Sequence, residues 1–219
     1  TTIGADGPST AAASLGTLVH ALAEDNPHGS AQELAEALEA RIEELGYNLD
    51  TWAGRVADRH ARDIVNNLAS YVVGVPGDVT VEQTVSAEVE GVTIRGRMDR
   101  LEQVDEGVRV TDLKTGKGGY TKASVTENPQ LAAYQMALLA SGEKVAGARI
   151  ALLGGSKPQI FDQPALQGEE LERWREWVRE VALSARGPYF EARPSAEACR
   201  YCSFDRLCPA RERGRKVVE

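Results

Sequence analysis

Apolar residues in the first third of the chain recur every three or four positions, which is the spacing of one face of a helix. The pattern predicts helices over residues 14–24, 31–45 and 52–73. Ser30 and Glu33 are spaced as a capping box before the second helix, and Gly46 is placed to end it. The residues predicted to face inward are Leu15, Leu18, Val19, Leu22, Leu34, Leu38, Ile42, Leu45, Trp52, Val56, Ile64, Leu68 and Tyr71.

The hydrophobic period changes to two after a V-P-G-D turn, as expected of strands. Strands are predicted over residues 80–90, 92–102 and 107–114, and the short turns between them favour an antiparallel meander. A helix over residues 129–140, a strand over 148–153 and an amphipathic helix over 169–183 follow. The residues predicted to share one face of the first strand are Val81, Val85, Ala87 and Val89.

The order of these elements predicts an α/β fold with a mixed central sheet and flanking helices. A chain of 219 residues is long enough for one substantial core. We expect a single domain over 1–219, made of a helical segment at 1–75, a core at 76–190 and a cysteine-containing tail at 191–219. Because the chain does not begin with Met, we expect a processed protein or a piece of a longer one.

Composition and charge narrow the class of protein. No run approaches the roughly 20 apolar residues of a membrane span, and no export leader is recognisable. We therefore expect a cytoplasmic protein with no membrane partner. The net charge of −8 argues against a protein that coats nucleic acid non-specifically, but it leaves room for a nucleic-acid enzyme with a local basic groove.

The third predicted strand ends in a pair of charged side chains. Alternation along a strand places Val108, Val110, Asp112 and Lys114 on one face. Because desolvated charges are costly unless they are paired or functional, this pair is either a salt bridge at a strand end or part of a site. Asp99, near the end of the preceding strand, would be its neighbour in a tight hairpin.

Two carboxylates on neighbouring strands make an oxygen-rich site suited to Mg²⁺ or Mn²⁺. Such an ion lowers the pKa of a bound water and stabilises charge on a phosphate, while a lysine can orient or deprotonate that water or neutralise the charge. His20 on the first predicted helix could join the site. Gln130 and Tyr134 lie four residues apart on one helix face and could supply donors to a phosphate or to the lysine. Each feature alone is common in proteins without such a site.

In this order, the motifs resemble those of the RecB-type PD-(D/E)xK nucleases. This family includes the nuclease domains of RecB, AddA, AddB, AdnA and AdnB, and the Cas4 proteins. The motifs that carry the resemblance are G-T-L-V-H with His20, G-R-M-D with Asp99, D-L-K-T-G with Asp112 and Lys114, and Q-L-A-A-Y with Gln130 and Tyr134. The resemblance spans most of the chain and implies a restriction-endonuclease-like fold.

The resemblance also implies roles for particular residues. His20, Asp99, Asp112 and the backbone carbonyl of Leu113 would hold a catalytic Mg²⁺ or Mn²⁺, and Lys114 would be the catalytic lysine. Gln130 and Tyr134 would form the supporting motif of the family. The chain departs from the motif at two positions, since Met98 stands where proline is usual and Asp112 where glutamate is common.

The cysteines form the second candidate site. Cys199, Cys202 and Cys208 are the only cysteines of the chain, and they lie within ten residues of one another. An odd cluster without an export signal indicates metal binding before a disulfide, with zinc as the usual ion for an isolated Cys-x₂-Cys. In this branch of the family, such a tail closes an iron–sulfur cluster with a further upstream cysteine. The resemblance thus implies a [4Fe-4S] cluster whose fourth ligand lies outside this chain. The alternatives are a cluster with a non-cysteine or vacant fourth ligand, zinc held with His28 or His60, and a tail without metal.

The functional expectation is a metal-dependent deoxyribonuclease acting on single-stranded DNA or DNA ends. By resemblance it would be the nuclease domain of a helicase–nuclease that resects double-strand breaks, most like the AdnAB type. Because the chain carries no G-x-x-x-x-G-K-[ST] loop, we expect the helicase motor to be a neighbouring segment or subunit. The alternatives are a standalone Cas4-like nuclease and a DNA-binding scaffold that has lost cleavage.

Overall fold

The computed structural model describes residues 10–187, 192–200, 202–204 and 207–210. Its helices are α1 (Thr10–Asp25), α2 (Ala31–Arg41), α3 (Trp52–Val73), α4 (Lys122–Thr126), α5 (Pro129–Ala140), α6 (Gly168–Arg186) and α7 (Ala196–Arg200), with a 3₁₀ turn at Ile42–Leu45. Its strands are β1 (Val79–Val89), β2 (Val92–Val104), β3 (Gly107–Lys114), β4 (Val145–Leu152) and β5 (Gln159–Pro164). Among the described helices, none is long and apolar enough to cross a membrane.

The strands form one five-stranded sheet in the order β1-β2-β3-β4-β5. The neighbours pair antiparallel except β3 and β4, which pair in parallel. The predicted α/β class, the meander and the mixed sheet are therefore confirmed. The edge strand β5 was not predicted, because its short Q-I-F-D-Q-P segment has little alternation and depends on pairing with β4.

Helices cover the two faces of the sheet unequally. On one face, α1, α2 and α3 pack their apolar stripes against Leu113, Ala151 and Leu153. On the other face, α5 packs on residues of β1 to β4 such as Val110 and Ile150. The predicted capping box at Ser30 and the helix end at Gly46, whose φ is +61°, are both present.

The prediction for the start of α3 was wrong. Trp52 and Val56 were expected to face the core, but they are 74% and 45% exposed. The buried residue of this turn is Gly54, where a Cβ atom would lie 1.8 Å from the carbonyl oxygen of Asn48. Because the preceding loop packs backbone to backbone on this side, the large side chains on the opposite side of the helix are left in solvent.

Candidate metal centre and active site

The site is built where β2 separates from β3. Their pairing ends at Arg100 and Thr111, and Asp99 is the next residue of β2 beyond that pair. Asp99 Oδ2 accepts a hydrogen bond of 2.7 Å from the backbone N–H of Leu113. In a continued β2–β3 ladder, a backbone carbonyl of β2 would accept this bond. Since the N–H and C=O of one strand residue point to the same edge, the Leu113 carbonyl is also directed toward this gap.

His20 and Glu82 complete a three-residue group around Asp99. His20 Nδ1 lies 3.3 Å from Asp99 Oδ1 and 4.0 Å from Glu82 Oε1. One potential ligand atom from each of the three residues lies within 4.8 Å of the others. Within the described ranges, this is the one set of three or more histidine, cysteine, aspartate or glutamate side chains close enough to share an ion.

Glu82 was not identified from the sequence, although a signal for it existed. The two-residue turn between Val89 and Val92 sets the register of β1 on β2, and counting back along that register places Glu82 opposite Asp99. Glu82 also has a φ of +50°, which is uncommon for a residue with a side chain. Strained backbone of this kind is concentrated at functional sites because the surrounding structure must maintain it.

Asp112 and Lys114 lie on the α5 face of β3, as strand alternation predicted. Lys114 Nζ is 2.7 Å from Asp112 Oδ2, and Asp112 is only 4% exposed. The ammonium is the partner of this buried oxygen, and a divalent cation could take its place. Asp112 does not belong to the three-residue group, so its predicted role as a metal ligand stays a prediction.

Burial and ion pairing act in opposite directions on this pair. Burial raises the pKa of Asp112, and the attraction of Lys114 only partly opposes that shift. Burial alone would lower the pKa of Lys114, but the contact with Asp112 outweighs it, so the pKa of Lys114 is raised above its ordinary value of 10.5. Lys114 is therefore an ammonium at neutral pH in the metal-free protein.

Gln130 and Tyr134 meet each other, as predicted from their spacing, but they do not hydrogen-bond to Lys114. Gln130 Nε2 donates to the Tyr134 hydroxyl at 3.1 Å, and that hydroxyl donates to the Arg97 carbonyl at 2.7 Å. A Cβ atom on Gly96 would lie 2.6 Å from the Tyr134 ring, so the glycine permits this close approach. Tyr134 thus holds the β2 backbone two residues before Asp99.

A buried ionic network lies on the other side of Asp99. Arg100 and Glu102 are fully buried, and their side chains pair at 3.4 Å. Glu102 accepts hydrogen bonds from Tyr71 at 2.6 Å and from Arg109 at 3.1 Å. Arg100 also donates to the Pro27 carbonyl at 2.9 Å. Arg100, the residue after Asp99, is therefore hydrogen-bonded to the loop that follows α1. Helix α1 is the helix that carries His20.

The donor set fits Mg²⁺ or Mn²⁺. One imidazole, two carboxylates and the nearby Leu113 carbonyl are mainly hard oxygen ligands, which these ions prefer. The buried carboxylate of Asp112, which already faces the Lys114 ammonium, could supply a further oxygen ligand. His20, Glu82 and Asp99 could therefore hold a divalent ion in the gap between β2 and β3.

His20 should titrate above its usual range in the metal-free protein. Contact with Asp99 raises the pKa of His20 above 6.5, although burial opposes the shift. The pair then stabilises the metal-free fold fully below pH 6.5, and this contribution is lost as the pH rises through the folded-state pKa. The proton competes with a metal ion for the imidazole, so metal binding should weaken with acid from above pH 6.5.

We expect NMR titration of the metal-free protein to give an imidazole pKa above 6.5 for His20 and a lower value in Asp99→Asn. His28, which is exposed, serves as the reference in the same spectra. A His20 pKa that is unchanged by Asp99→Asn would contradict the pairing of these two side chains.

The cysteines stand apart from this centre. Cys199, Cys202 and Cys208 are free thiols, and each is at least partly accessible to solvent. The Cys199 N–H donates to the Ser195 carbonyl, and the Cys202 N–H donates to the Cys199 carbonyl. Within the described part of the tail, the three sulfurs do not form a group close enough for one ion, and neither His28 nor His60 joins them in one.

Comparison with known proteins identifies a family and solved structures that resemble the chain, among them the two that follow. Residues 3–209 match the PD-(D/E)XK nuclease superfamily. The crystal structure of SSO0001 shares 17% identity, with 90% of this chain and 84% of that chain covered and a TM-score of 0.44. A candidate exonuclease from Eubacterium rectale shares 16% identity, with 88% and 80% covered and a TM-score of 0.49. Structural likeness at this level does not bear on function, and no curated protein matches the chain.

Proposed function

Since the chain belongs to the PD-(D/E)XK nuclease superfamily, we propose that it is a deoxyribonuclease that uses Mg²⁺ or Mn²⁺ to hydrolyse single-stranded DNA or DNA ends. One observation carries this proposal. His20, Glu82 and Asp99 form a group able to hold a divalent ion, and the Asp112–Lys114 pair ends the neighbouring strand. An acidic metal group beside a half-buried lysine is suited to phosphodiester hydrolysis, since both can stabilise charge on the phosphate.

The ion, when bound, supplies Lewis-acid chemistry that activates water and stabilises charge on the phosphate. Asp99 would bind it while anchored by the Leu113 N–H, which fixes the carboxylate without using its second oxygen. His20 and Glu82 would bind from α1 and β1, and the Leu113 carbonyl faces the same gap. Asp112, near the end of the neighbouring strand, would supply a further carboxylate oxygen.

Lys114 would act through its charge. In the metal-free protein, contact with Asp112 raises the pKa of Lys114 against the effect of burial, and the ammonium could stabilise negative charge that develops on the phosphate or the leaving oxygen. Orientation or deprotonation of the attacking water is the alternative role. Gln130 and Tyr134 would act as positioning residues, since their hydrogen bonds hold the backbone of β2 near Asp99.

Two finer assignments belong to the same proposal. The resemblance to RecB-type domains supports action as the nuclease domain of a helicase–nuclease in double-strand break repair, with the motor supplied by another segment or subunit. A standalone Cas4-like nuclease has the same chemistry. A scaffold without cleavage is disfavoured, because such a module has no use for Asp99, Asp112 and Lys114 together.

The test is a cleavage assay on a single-stranded oligonucleotide labelled at one end. We expect cleavage with Mg²⁺ or Mn²⁺ and none with EDTA. A nicked or linear duplex assayed in parallel distinguishes single strands from ends as the preferred substrate. Binding of DNA without cleavage under all of these conditions would favour the scaffold.

The three cysteines support a second, structural proposal. Cys199, Cys202 and Cys208 offer three accessible thiols for a [4Fe-4S] cluster, whose remaining ligand would come from outside the chain. Each cysteine of such a cluster binds a different iron, so their sulfurs need not converge as they do on a single zinc ion. The cluster would restrain the tail and not take part in hydrolysis.

We expect a longer form of the protein, purified without oxygen, to contain iron and sulfide and to be brown. Cys202→Ala should remove the colour and lower the melting temperature together, because a cluster that closes a long loop restrains the unfolded chain. Ser203→Ala, next to it in the sequence, is the matched control and should change neither. Stoichiometric zinc without iron in anaerobic protein would replace the cluster with a zinc site.

A further inference from the structure

The hairpin of β1 and β2 has one face that no described element covers. Its inward residues, such as Val85, Val89 and Ile94, pack toward α5 and α6. The outward residues alternate with them and are all exposed. They are Thr84, Ser86 and Glu88 on β1 and Thr93, Arg95 and Arg97 on β2. We call this set the hairpin face.

The hairpin face runs directly into the candidate metal centre. In the register of the two strands, Ser86 pairs with Arg95 and Thr84 pairs with Arg97. The next positions of the same alternation are Glu82 and Asp99, which belong to the metal group. A step of two residues along a strand is about 7 Å, so Arg95 lies roughly 13 Å from Asp99 along β2.

The chemistry of the hairpin face is that of phosphate recognition. Arg95 makes no ion pair among the described residues, and it is flanked by the hydroxyl groups of Ser86 and Thr93. Arg97 is already paired with Glu82 and lies 3.6 Å from Glu24. Arginine and hydroxyl side chains are the usual donors to phosphate oxygens. The one acid on the face, Glu88, stands at the end farther from the metal centre.

The same composition argues against a protein partner as the occupant. Centres of protein interfaces are enriched in aromatic residues, methionine and arginine, whereas serine and glutamate are depleted. Of the enriched types, the hairpin face carries only arginine. The hairpin face has no aromatic or large aliphatic residue. The positive charge of Arg95, on a polar surface that continues into the metal group, is complementary to the negative charge of a sugar–phosphate backbone.

We propose that the hairpin face is the track on which the sugar–phosphate backbone of a DNA strand lies as it extends from the metal centre. Arg95 contacts a phosphate two to three nucleotides from the scissile bond, and the hydroxyl groups of Ser86 and Thr93 bind neighbouring backbone oxygens. The inference rests on the proposed function for the identity of the ligand. It adds a binding surface outside the catalytic group.

The test measures binding separately from cleavage. A fluorescent thymidine oligonucleotide of about 20 nucleotides is titrated with protein in EDTA, so that no hydrolysis occurs. We expect Arg95→Gln to weaken binding about three- to fivefold, and Arg95→Glu about tenfold or more. The slope of log K against log salt should fall by about 0.7 in Arg95→Gln, the loss of one single-strand phosphate contact. Arg95→Lys should retain most of the affinity.

Lys144→Gln is the matched control, since it removes one exposed positive charge at the end of the sheet away from Lys114. It should leave both the affinity and the salt slope unchanged. Hydrolysis of bis(p-nitrophenyl) phosphate, which has no strand to lie on the track, should be equal in the parent protein and in Arg95→Gln.

The outcomes separate the two proposals. Equal binding and an equal salt slope for the parent protein and Arg95→Gln would overturn the track, even if the protein cleaves DNA. An equal loss in Arg95→Gln and Lys144→Gln would also overturn it, because the effect would then come from overall charge. Absence of any cleavage would refute the proposed function, yet selective loss of binding in Arg95→Gln would still support the track.

Discussion

Replacing Asp112 with asparagine should abolish metal-dependent cleavage of single-stranded DNA, with a rate loss of about a thousandfold or more. Asp112 is buried beside Lys114, and its carboxylate is the one acidic group of β3 that could bind a cation. Asparagine has nearly the same shape but no negative charge, so the fold should remain. The measurement is single-turnover cleavage in Mg²⁺ and in Mn²⁺, with circular dichroism to check the fold.

Asp105→Asn provides the control, because Asp105 is an exposed acid in the turn between β2 and β3. That variant should cleave like the parent protein. Undiminished cleavage by Asp112→Asn would show that this carboxylate has no part in the reaction and that the Asp112–Lys114 pair is a salt bridge at a strand end.

Replacing Lys114 with methionine should also stop cleavage, by roughly a hundredfold to a thousandfold, but for a different reason. Methionine keeps the length of the side chain and removes the charge that would stabilise the phosphate in the transition state. Metal affinity should survive or rise, because an ammonium 2.7 Å from Asp112 competes with a cation for that carboxylate. Isothermal calorimetry with Mn²⁺ in the absence of DNA measures this affinity.

Asp99→Asn gives the contrasting pattern. It should lose metal affinity together with activity, since Asp99 is at the centre of the three-residue group. If Lys114→Met and Asp99→Asn lost metal binding equally, Lys114 would support the metal site and would not act on the phosphate. If Lys114→Met kept full activity, the lysine would have no role in catalysis.

Local pattern was sufficient for most of the fold. The apolar stripes of α1 and α2, the capping box at Ser30 and the alternation of β1 to β3 all depend on neighbours within a few residues. The exceptions depend on distant contacts. β5 exists because it pairs with β4, and the first turns of α3 are oriented by the contact between Gly54 and Asn48. Such contacts leave no periodic signal in the sequence.

The candidate site divides in the same way. Spacing alone placed Asp112 and Lys114 on one face of a strand and Gln130 beside Tyr134 on one face of a helix, because strand and helix periods are intrinsic to the backbone. The resemblance to nuclease motifs selected His20 and Asp99, and the structure brings these two within 3.3 Å. Glu82 carries no such local signal. Its place opposite Asp99 follows from the register of β1 on β2, which the two-residue turn between these strands sets.

The sequence by itself therefore determined the elements, the class of sheet and the residue types able to bind an ion, because each follows from short-range periodicity and side-chain chemistry. Only the tertiary structure decided how these groups affect one another. It directed the Tyr134 hydroxyl to the Arg97 carbonyl, kept Lys114 protonated through Asp112 and raised the pKa of His20 through Asp99. Distances and burial set these interactions, and both arise when segments far apart in the chain come together.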